Sequence, residues 1–215
     1  MKCLWCGKEM QEGSLRDLII GSDPLCSDCR GAWRRKDIRF LFQNVPLYSF
    51  YVYGKAFSSC LIQYKELGDE ALAGIFLHEI RGRIRRLFHG YTLVLMPSTA
   101  EKERERGFSH LEKMFACAGM PMISPFEKTA SVSQKHLNRE ERMAMANAIR
   151  LKKDAVLPEK IVLCDDTVTT GATLAGALSC FPHENHRIRI CTVSYNERWL
   201  DDHGREHCLF RGRKV

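Results

Sequence analysis

A chain of 215 residues with 33 Lys and Arg against 26 Asp and Glu, net charge +7, has the length for one domain plus a small appendage. Its charge favours polyanionic partners without naming one. No apolar stretch approaches the ~18 residues that a membrane span requires, and the start lacks the basic, apolar and small-residue succession of an export signal. The expectation is a cytoplasmic protein with no membrane span.

The first signal in chain order is Cys3-Leu4-Trp5-Cys6 followed, after nineteen residues, by Cys26-Ser27-Asp28-Cys29. Each knuckle presents two thiolates to one ion, and the pairs close a tetrahedral set with no position for catalytic water. Cys3, Cys6, Cys26 and Cys29 therefore read as ligands of a structural Zn²⁺. Disulfides are the competing account, disfavoured without an export signal. A module this small needs its metal to fold, and Trp5 and Trp33 bracket it as cover for a thin core. Cys60, Cys117, Cys164, Cys180 and Cys191 lie singly in apolar surroundings, as core thiols do.

Helical spacing over 28–43 places Trp33, Phe40 and Leu41 on one face, with Pro46 as the stop and a linker near Asn44. The chain then divides into a zinc module, 1–44, and a second domain, 45–215. An aromatic, alternating strand over 47–53, helices over 55–66 and 69–88, and a buried strand over 92–96 ending at Pro97 follow. Residues 108–118 read as helix, 122–124 as a short strand, and 133–142 as a polar, mobile lid. The last strand, 187–195, alternates basic residues with Ile188, Ile190 and Val193, the pattern of a sheet edge. Strands alternating with helices specify an α/β fold with a parallel sheet and ligands at the carboxyl ends of its strands.

The most informative stretch is Ile161-Val162-Leu163-Cys164-Asp165-Asp166-Thr167-Val168-Thr169-Thr170-Gly171-Ala172-Thr173. An apolar strand runs into two carboxylates and then into a hydroxyl-rich loop that opens a helix. Backbone N–H groups at the helix start, with the hydroxyls of Thr167, Thr169, Thr170 and Thr173, suit a phosphate, and Gly171 lets the backbone approach closely. Asp165 and Asp166 point to opposite sides of an extended chain, so at least one can face ribose hydroxyls or Mg²⁺-bound water. No G-x-x-x-x-G-K-[ST] loop and no G-x-G-x-x-G occurs, which removes support for a P-loop hydrolase or a dinucleotide fold.

This stretch resembles the phosphoribosyl pyrophosphate signature of the type I phosphoribosyltransferases. The whole chain resembles the ComF-type competence proteins, a zinc module followed by a phosphoribosyltransferase-like domain. The likeness runs through the Cys knuckles, Phe50-Tyr51-x-Tyr53-Gly54, Leu61-Ile62-Gln63-Tyr64-Lys65 before Gly68-Asp69, and Leu95-Met96-Pro97. It continues through Arg104-Glu105-Arg106-Gly107-Phe108, then Gln134, Leu137, Arg142 and Asn147, and ends in the 165–173 loop. It implies phosphoribosyl pyrophosphate with Mg²⁺ as ligand. Asp165 and Asp166 would serve the ribose and any chemistry. Thr167, Thr169, Thr170, Gly171, Ala172 and Thr173 would take the 5′-phosphate, and Pro97, Ser98, Arg106 and Lys65 the pyrophosphate, with Arg104 nearby. Relatives usually carry Pro-Val-Pro at Met96-Pro97-Ser98 and Asn-Gln at Ser109-His110. His110 reads as a helix-surface residue.

Arg81, Arg83, Arg85 and Arg86 read as a solvated helix face. Joined to Arg34, Arg35 and Lys36 and the aromatics Tyr51 and Tyr53, they would alternatively form a stripe for single-stranded DNA. His203, His207 and Cys208 lack a fourth ligand and read as a polar tail. Two functions follow. The resemblance implies a DNA-uptake factor of natural transformation, with single-stranded DNA and competence-machinery proteins such as a ComF-type helicase as partners. The alternative is a phosphoribosyltransferase that transfers ribose 5-phosphate to a nitrogenous base. The short, charged chain after Tyr195 lacks an evident aromatic clamp beyond Trp199, which favours the first.

Overall fold

In the computed structural model, residues 1–10, 21–128, 149–181 and 186–203 are described. Both Cys knuckles are tight turns closed by the backbone. The Gly7 amide donates to Cys3 O at 2.9 Å with Gly7 at φ +73°, and the Cys3 amide donates to Lys8 O at 2.9 Å. Cys26 stands at the start of a short helix, α1 (Ser27–Gly31).

The helix predicted over 28–43 ends at Gly31. Residues beyond it form β1 (Arg35–Phe42), whose Phe40 and Phe42 are buried while Arg39 is exposed. That is the period-two signature, and it outweighs the helical spacing read from Trp33, Phe40 and Leu41. Nor is Asn44 a linker: Gln43 at φ +48° and Asn44 at φ +65° make the two-residue turn of a hairpin to β2 (Val45–Val52). A two-residue turn with both φ positive matches strand twist. Pro46 lies within β2, opposite Leu41.

After β2 come α2 (Lys55–Lys65), a 3₁₀ turn (Glu70–Ile75) and α3 (Arg81–Leu87). The single helix predicted over 69–88 is thus broken, although Leu72, Ile75, Ile80 and Ile84 still reach the core. Next are β3 (Thr92–Leu95), α4 (Ala100–Arg106), α5 (His110–Ala116) and β4 (Met122–Ile123). The sequence reading missed α4, whose lack of any buried residue leaves no apolar period to detect. A small ribbon pairs β5 (Phe126–Lys128) with β6 (Ile149–Leu151). The chain closes with β7 (Lys160–Val168), α6 (Ala172–Ser179), β8 (Arg187–Tyr195) and α7 (Glu197–His203). The expected lid over 133–142, the motif residues Gln134, Leu137, Arg142 and Asn147, and the side chains of His203, His207 and Cys208 lie outside the described residues.

The main sheet runs β1-β2-β8-β7-β3-β4. Only β1 pairs antiparallel there; β2 with β8, β8 with β7, β7 with β3 and β3 with β4 are parallel. The fold is therefore α/β with a mostly parallel sheet, as expected. β8 is interior, not an edge. Its cations sit at its first residues, where Arg187 is exposed and Arg189 lies 4.5 Å from the Tyr91 ring centroid and donates to Leu87 O at 2.6 Å. From Ile190 on the strand is buried.

Trp33 does not merely cover the knuckles. It is 3% exposed and sits against Phe57, Phe76 and Tyr51, with centroids at 4.8, 5.4 and 5.6 Å. Arg30 reinforces the joint by placing its guanidinium 4.8 Å from the Trp33 ring, donating to Ile75 O at 3.0 Å and gripping both Asp23 oxygens at 2.7 Å. The cysteine module and the sheet thus share one core.

Candidate functional site

The parallel register Leu95↔Cys164 places the end of β3 beside the acids of β7. A cavity of about 620 Å³ opens at these carboxyl ends. One wall is the turn Pro97, Ser98 and Thr99; a second is Thr167, Thr169, Ala172 and Thr173; Lys65, Lys102 and Lys128 add three cations. Tyr53, Leu61, Ile62, Met96 and Ile149 supply an apolar side. Lys65 closes α2, and Lys102 stands in the first turn of α4, whose start is capped by Thr99 Oγ1. The structure therefore gathers most of the residues the sequence singled out for phosphate and adds Lys102 and Lys128.

The two acids differ. Asp166 is buried, with Oδ2 at 2.5 Å from Lys65 Nζ and 3.2 Å from His110 Nε2. Burial alone would raise the Asp166 carboxyl, but His110 and the Lys65 ammonium outweigh it and hold the group well below the usual carboxylate range. Asp165 lines the cavity with one oxygen accepting the Asp166 amide at 2.9 Å. Burial first, and the Asp166 charge second, push its carboxyl up to about 7. Asp166 is thus committed within the protein, and Asp165 is the acid open to a ligand or a hard cation.

Several predicted contacts lie a layer back. Arg106 does not line the cavity: Nε donates to Lys65 O at 2.5 Å and a terminal nitrogen meets His110 Nδ1 at 2.9 Å. Arg104 is exposed and donates to Ala100 O within its own helix, so Lys102 takes the place expected of it. Thr170 Oγ1 accepts the Ala172 amide at 3.3 Å, and Thr167 Oγ1 pairs with Ser194 Oγ at 2.7 Å. Gly171 sits at φ +74°, and a Cβ there would stand 2.8 Å from Phe42 Cε2. The close approach it permits is to the protein's own β1 ring. His110, expected on a helix surface, is 5% exposed and reaches the cavity. No helical spacing could have signalled this, because Arg106 ends α4 and His110 opens α5, with Gly107 at φ +82° between them.

The four knuckle thiols converge. All Sγ atoms of Cys3, Cys6, Cys26 and Cys29 lie within 4.8 Å of one another, and Cys6 and Cys26 are 3.7 Å apart. Thiolates at about 2.3 Å from a tetrahedral ion stand about 3.8 Å from each other. The set can hold one metal ion, consistent with zinc. Against burial, backbone N–H groups bring the Cys3 thiol down to about 6, whereas burial and the neighbouring sulfurs push the Cys29 thiol up, so without a cation the four sulfurs do not all ionise together. Cys60, Cys164 and Cys191 are buried core thiols, while Cys117 and Cys180 are half-buried.

Few of the cations considered for DNA are unengaged. Arg34 makes a fork on Glu197 at 2.6 and 2.8 Å, with Lys36 3.4 Å from the same carboxylate. Arg35 and Arg83 share Asp37 at 3.3 and 2.5 Å, and Arg85 donates to Ala118 O and Cys117 O. Arg81 is also engaged, while Arg86 is exposed. These ion pairs are exposed or partly so and contribute little each.

Two outcomes are expected. Elemental analysis should find about one metal ion, lost in Cys3→Ser with Cys26→Ser. Because Trp33 and Arg30 tie the knuckles to the main core, chelation should lower the melting temperature of the whole chain, not of a detached module; an unchanged main transition after metal loss would refute this. Asp165 gives a pH test. Its raised carboxyl makes the folded state bind the extra proton between about 4 and 7, so its contribution to stability declines as pH rises through that window. Asp165→Asn should match the native protein near pH 4 and exceed it by about 1–3 kcal/mol at pH 8, after allowance for partial exposure. Denaturant melts at both pH values would show it, and a constant difference would not.

No family profile matches the chain. It is similar to competence protein ComFC of Streptococcus pneumoniae, 27% identical over 199 residues that cover 81% of this chain and 90% of that one. It is also 28% identical to ComFC of Bacillus subtilis over 160 residues, covering 73% of this chain and 65% of the relative. Among solved structures, adenine phosphoribosyltransferase from Saccharomyces cerevisiae aligns at TM-score 0.37 and 12% identity, covering 80% of this chain and 88% of that one. Orotate phosphoribosyltransferase from Aeropyrum pernix aligns at 0.32 and 14%, covering 82% and 95%. Along most of its length the chain is thus similar to two ComFC competence proteins.

Proposed function

We propose that the protein is a competence factor acting in DNA uptake during natural transformation, and that its cleft binds phosphoribosyl pyrophosphate with Mg²⁺. The observation that carries the ligand reading is the cleft at the ends of β3 and β7, where threonine hydroxyls, a helix start and three lysines surround one open carboxylate. In this reading Thr169, Thr173 and the start of α6 take the 5′-phosphate, Asp165 takes the ribose hydroxyls, and Ser98, Thr99 and Lys102 face the diphosphate. Mg²⁺, when bound, screens diphosphate charge, and Asp165 with the nearby hydroxyls supplies the hard oxygen donors it prefers. The four-cysteine set holds Zn²⁺ as a structural ion.

Calorimetry with phosphoribosyl pyrophosphate and Mg²⁺ tests the ligand. The native protein should bind, and Asp165→Asn should weaken binding by about 1.5–3 kcal/mol, the contribution of a hydrogen bond to a charged group. Absence of heat at millimolar ligand would overturn the reading. A second reading, transfer of ribose 5-phosphate to a nitrogenous base, draws on the apolar wall of Tyr53, Leu61, Ile62, Met96 and Ile149 beside the acids. Chromatography for nucleotide and released pyrophosphate after incubation with a panel of bases decides it, and no product from any base discards it.

The DNA-uptake role comes from the names of the relatives, with competence-machinery proteins such as a ComF-type helicase as proposed partners. Single-stranded DNA is the proposed polyanion, contacting Arg34, Arg35, Lys36 and the run Arg81, Arg83, Arg85 and Arg86 after displacing the Glu197 and Asp37 pairs. Affinity for a labelled oligonucleotide should then fall with log salt by ~0.7 per phosphate contact. Anisotropy across a salt series should show that slope flatten in a charge-reversed Arg83, Arg85 and Arg86 variant. Undetectable binding at low salt would move the DNA role to a partner protein.

A further inference from the structure

Within 169–173 Gly171 alone is buried, while Thr169, Thr170 and Ala172 on either side of it are exposed. What buries it is aromatic. A Cβ at Gly171 would stand 2.8 and 2.9 Å from Phe42 Cε2 and Cζ and 3.4 Å from Trp199 Cζ2, so both rings reach the bare backbone of the loop. Phe42 and Trp199 are themselves 8% and 4% exposed, and Phe40 completes the platform with its ring centroid 5.3 Å from that of Trp199.

The platform joins β1 to α7, and it is held in place. Arg34, just before β1, forks onto Glu197 at the start of α7. The Asn196 amide donates at 3.0 Å to the carbonyl of Val168, the last residue of β7, and Asn196 Oδ1 accepts the Arg198 amide at 3.0 Å. Thr169 and Thr170 are thus bracketed, at Val168 by Asn196 and at Gly171 by the two rings. Neither ring lines the cavity, whereas Thr169, Ala172 and Thr173 do. A glycine at positive φ between exposed residues has wide backbone freedom of its own, and hydrogen bonds weaken steeply as donors lose their aim. Holding such a loop in its bound shape beforehand removes the ordering cost from the affinity.

We propose that Phe42 and Trp199 are positioning residues of the cleft, seating Gly171 so that the threonine loop is already shaped for the 5′-phosphate of the ligand. The inference rests on the ligand reading given above. Both rings act through the loop and touch no ligand atom. The pyrophosphate side of the cleft, at Ser98, Thr99 and Lys102, stands on β3 and α4 and does not depend on them.

The test uses the full chain with two separate probes, ribose 5-phosphate and inorganic pyrophosphate with Mg²⁺, by calorimetry. Phe42→Leu, which stays apolar and withdraws the ring edge, should weaken ribose 5-phosphate about tenfold and leave pyrophosphate within twofold. Gly171→Ala drives a Cβ into the Phe42 ring, so its loss of ribose 5-phosphate affinity should be smaller on the Phe42→Leu background than on the native one. Fluorine NMR of protein labelled with 5-fluorotryptophan, with the Trp199 signal assigned from Trp199→Phe, should show that signal shifting with ribose 5-phosphate and not with pyrophosphate. Unchanged ribose 5-phosphate affinity in Phe42→Leu, equal loss of both probes, or additive losses in the Gly171 and Phe42 pair overturns the positioning role while leaving the ligand reading standing. Should Phe42→Leu fail to fold, the native Trp199 signal decides, and its indifference to ribose 5-phosphate overturns the role. Failure of the native protein to bind either probe overturns the ligand reading and this inference with it.

Discussion

Two adjacent carboxylates at the buried end of a parallel strand are the constraint around which the cleft is organised. Neither can be left ionised and unpaired in that setting, because removal from water penalises each and their mutual repulsion adds to it. The chain resolves this asymmetrically. Lys65 at the end of α2 and His110 at the start of α5 both reach Asp166, and Arg106 at the end of α4 ties the two together through Lys65 O and His110 Nδ1. Three helices are thereby positioned over β7 by one carboxylate. Asp165 keeps the freedom Asp166 has lost, at the expense of a carboxyl that is only part-ionised near neutrality. A cation or sugar hydroxyls in the cleft would relieve that tension, so the resting site is arranged to favour occupancy.

A second joint connects the cysteine set to the sheet. Cys26 and Cys29 frame α1, whose Arg30 grips Asp23 and Ile75 O, and Trp33 follows two residues after the helix into a cluster with Tyr51, Phe57 and Phe76. Burying a tryptophan this completely gives the small module the core it cannot build for itself. A metal ion held there would act on a segment already welded to the main domain. This is why metal loss is expected to be felt by the whole chain.

The central motif was legible because its elements carry local signals: an apolar run, paired acids, hydroxyls and a glycine at a positive φ. The paired knuckles were legible for the same reason, since two short spacings determine where four sulfurs go. What failed was long-range. Residues 35–42 satisfy both a helical and an alternating pattern, and only pairing with β2 across the Gln43-Asn44 turn decides between them. The basic residues of β8 suggested an edge, but its outer neighbour β2 is far away in sequence, and Arg189 escapes burial cost by lying across Tyr91. His110 was misjudged likewise. A histidine is scored from its neighbours in the chain, whereas its place is set here by an aspartate on another element.

The hairpin that was misread supplies the link between the two joints. β1 begins two residues after Trp33 and ends at Phe42, whose ring packs with Trp199 at 5.8 Å and stands against Gly171 so closely that a Cβ would overlap it. Only glycine combines that clearance with a left-handed φ at the mouth of α6. The shape of the threonine loop therefore depends on where β1 lies, and β1's start is anchored through Trp33 to the cysteine module. Chain continuity from the cysteine set through Trp33 into β1, and the close approach of Phe42 to Gly171, connect that set to the loop. Steric exclusion fixes the last step, because a well-packed interior has no slack in which Phe42 could move while Gly171 stays still.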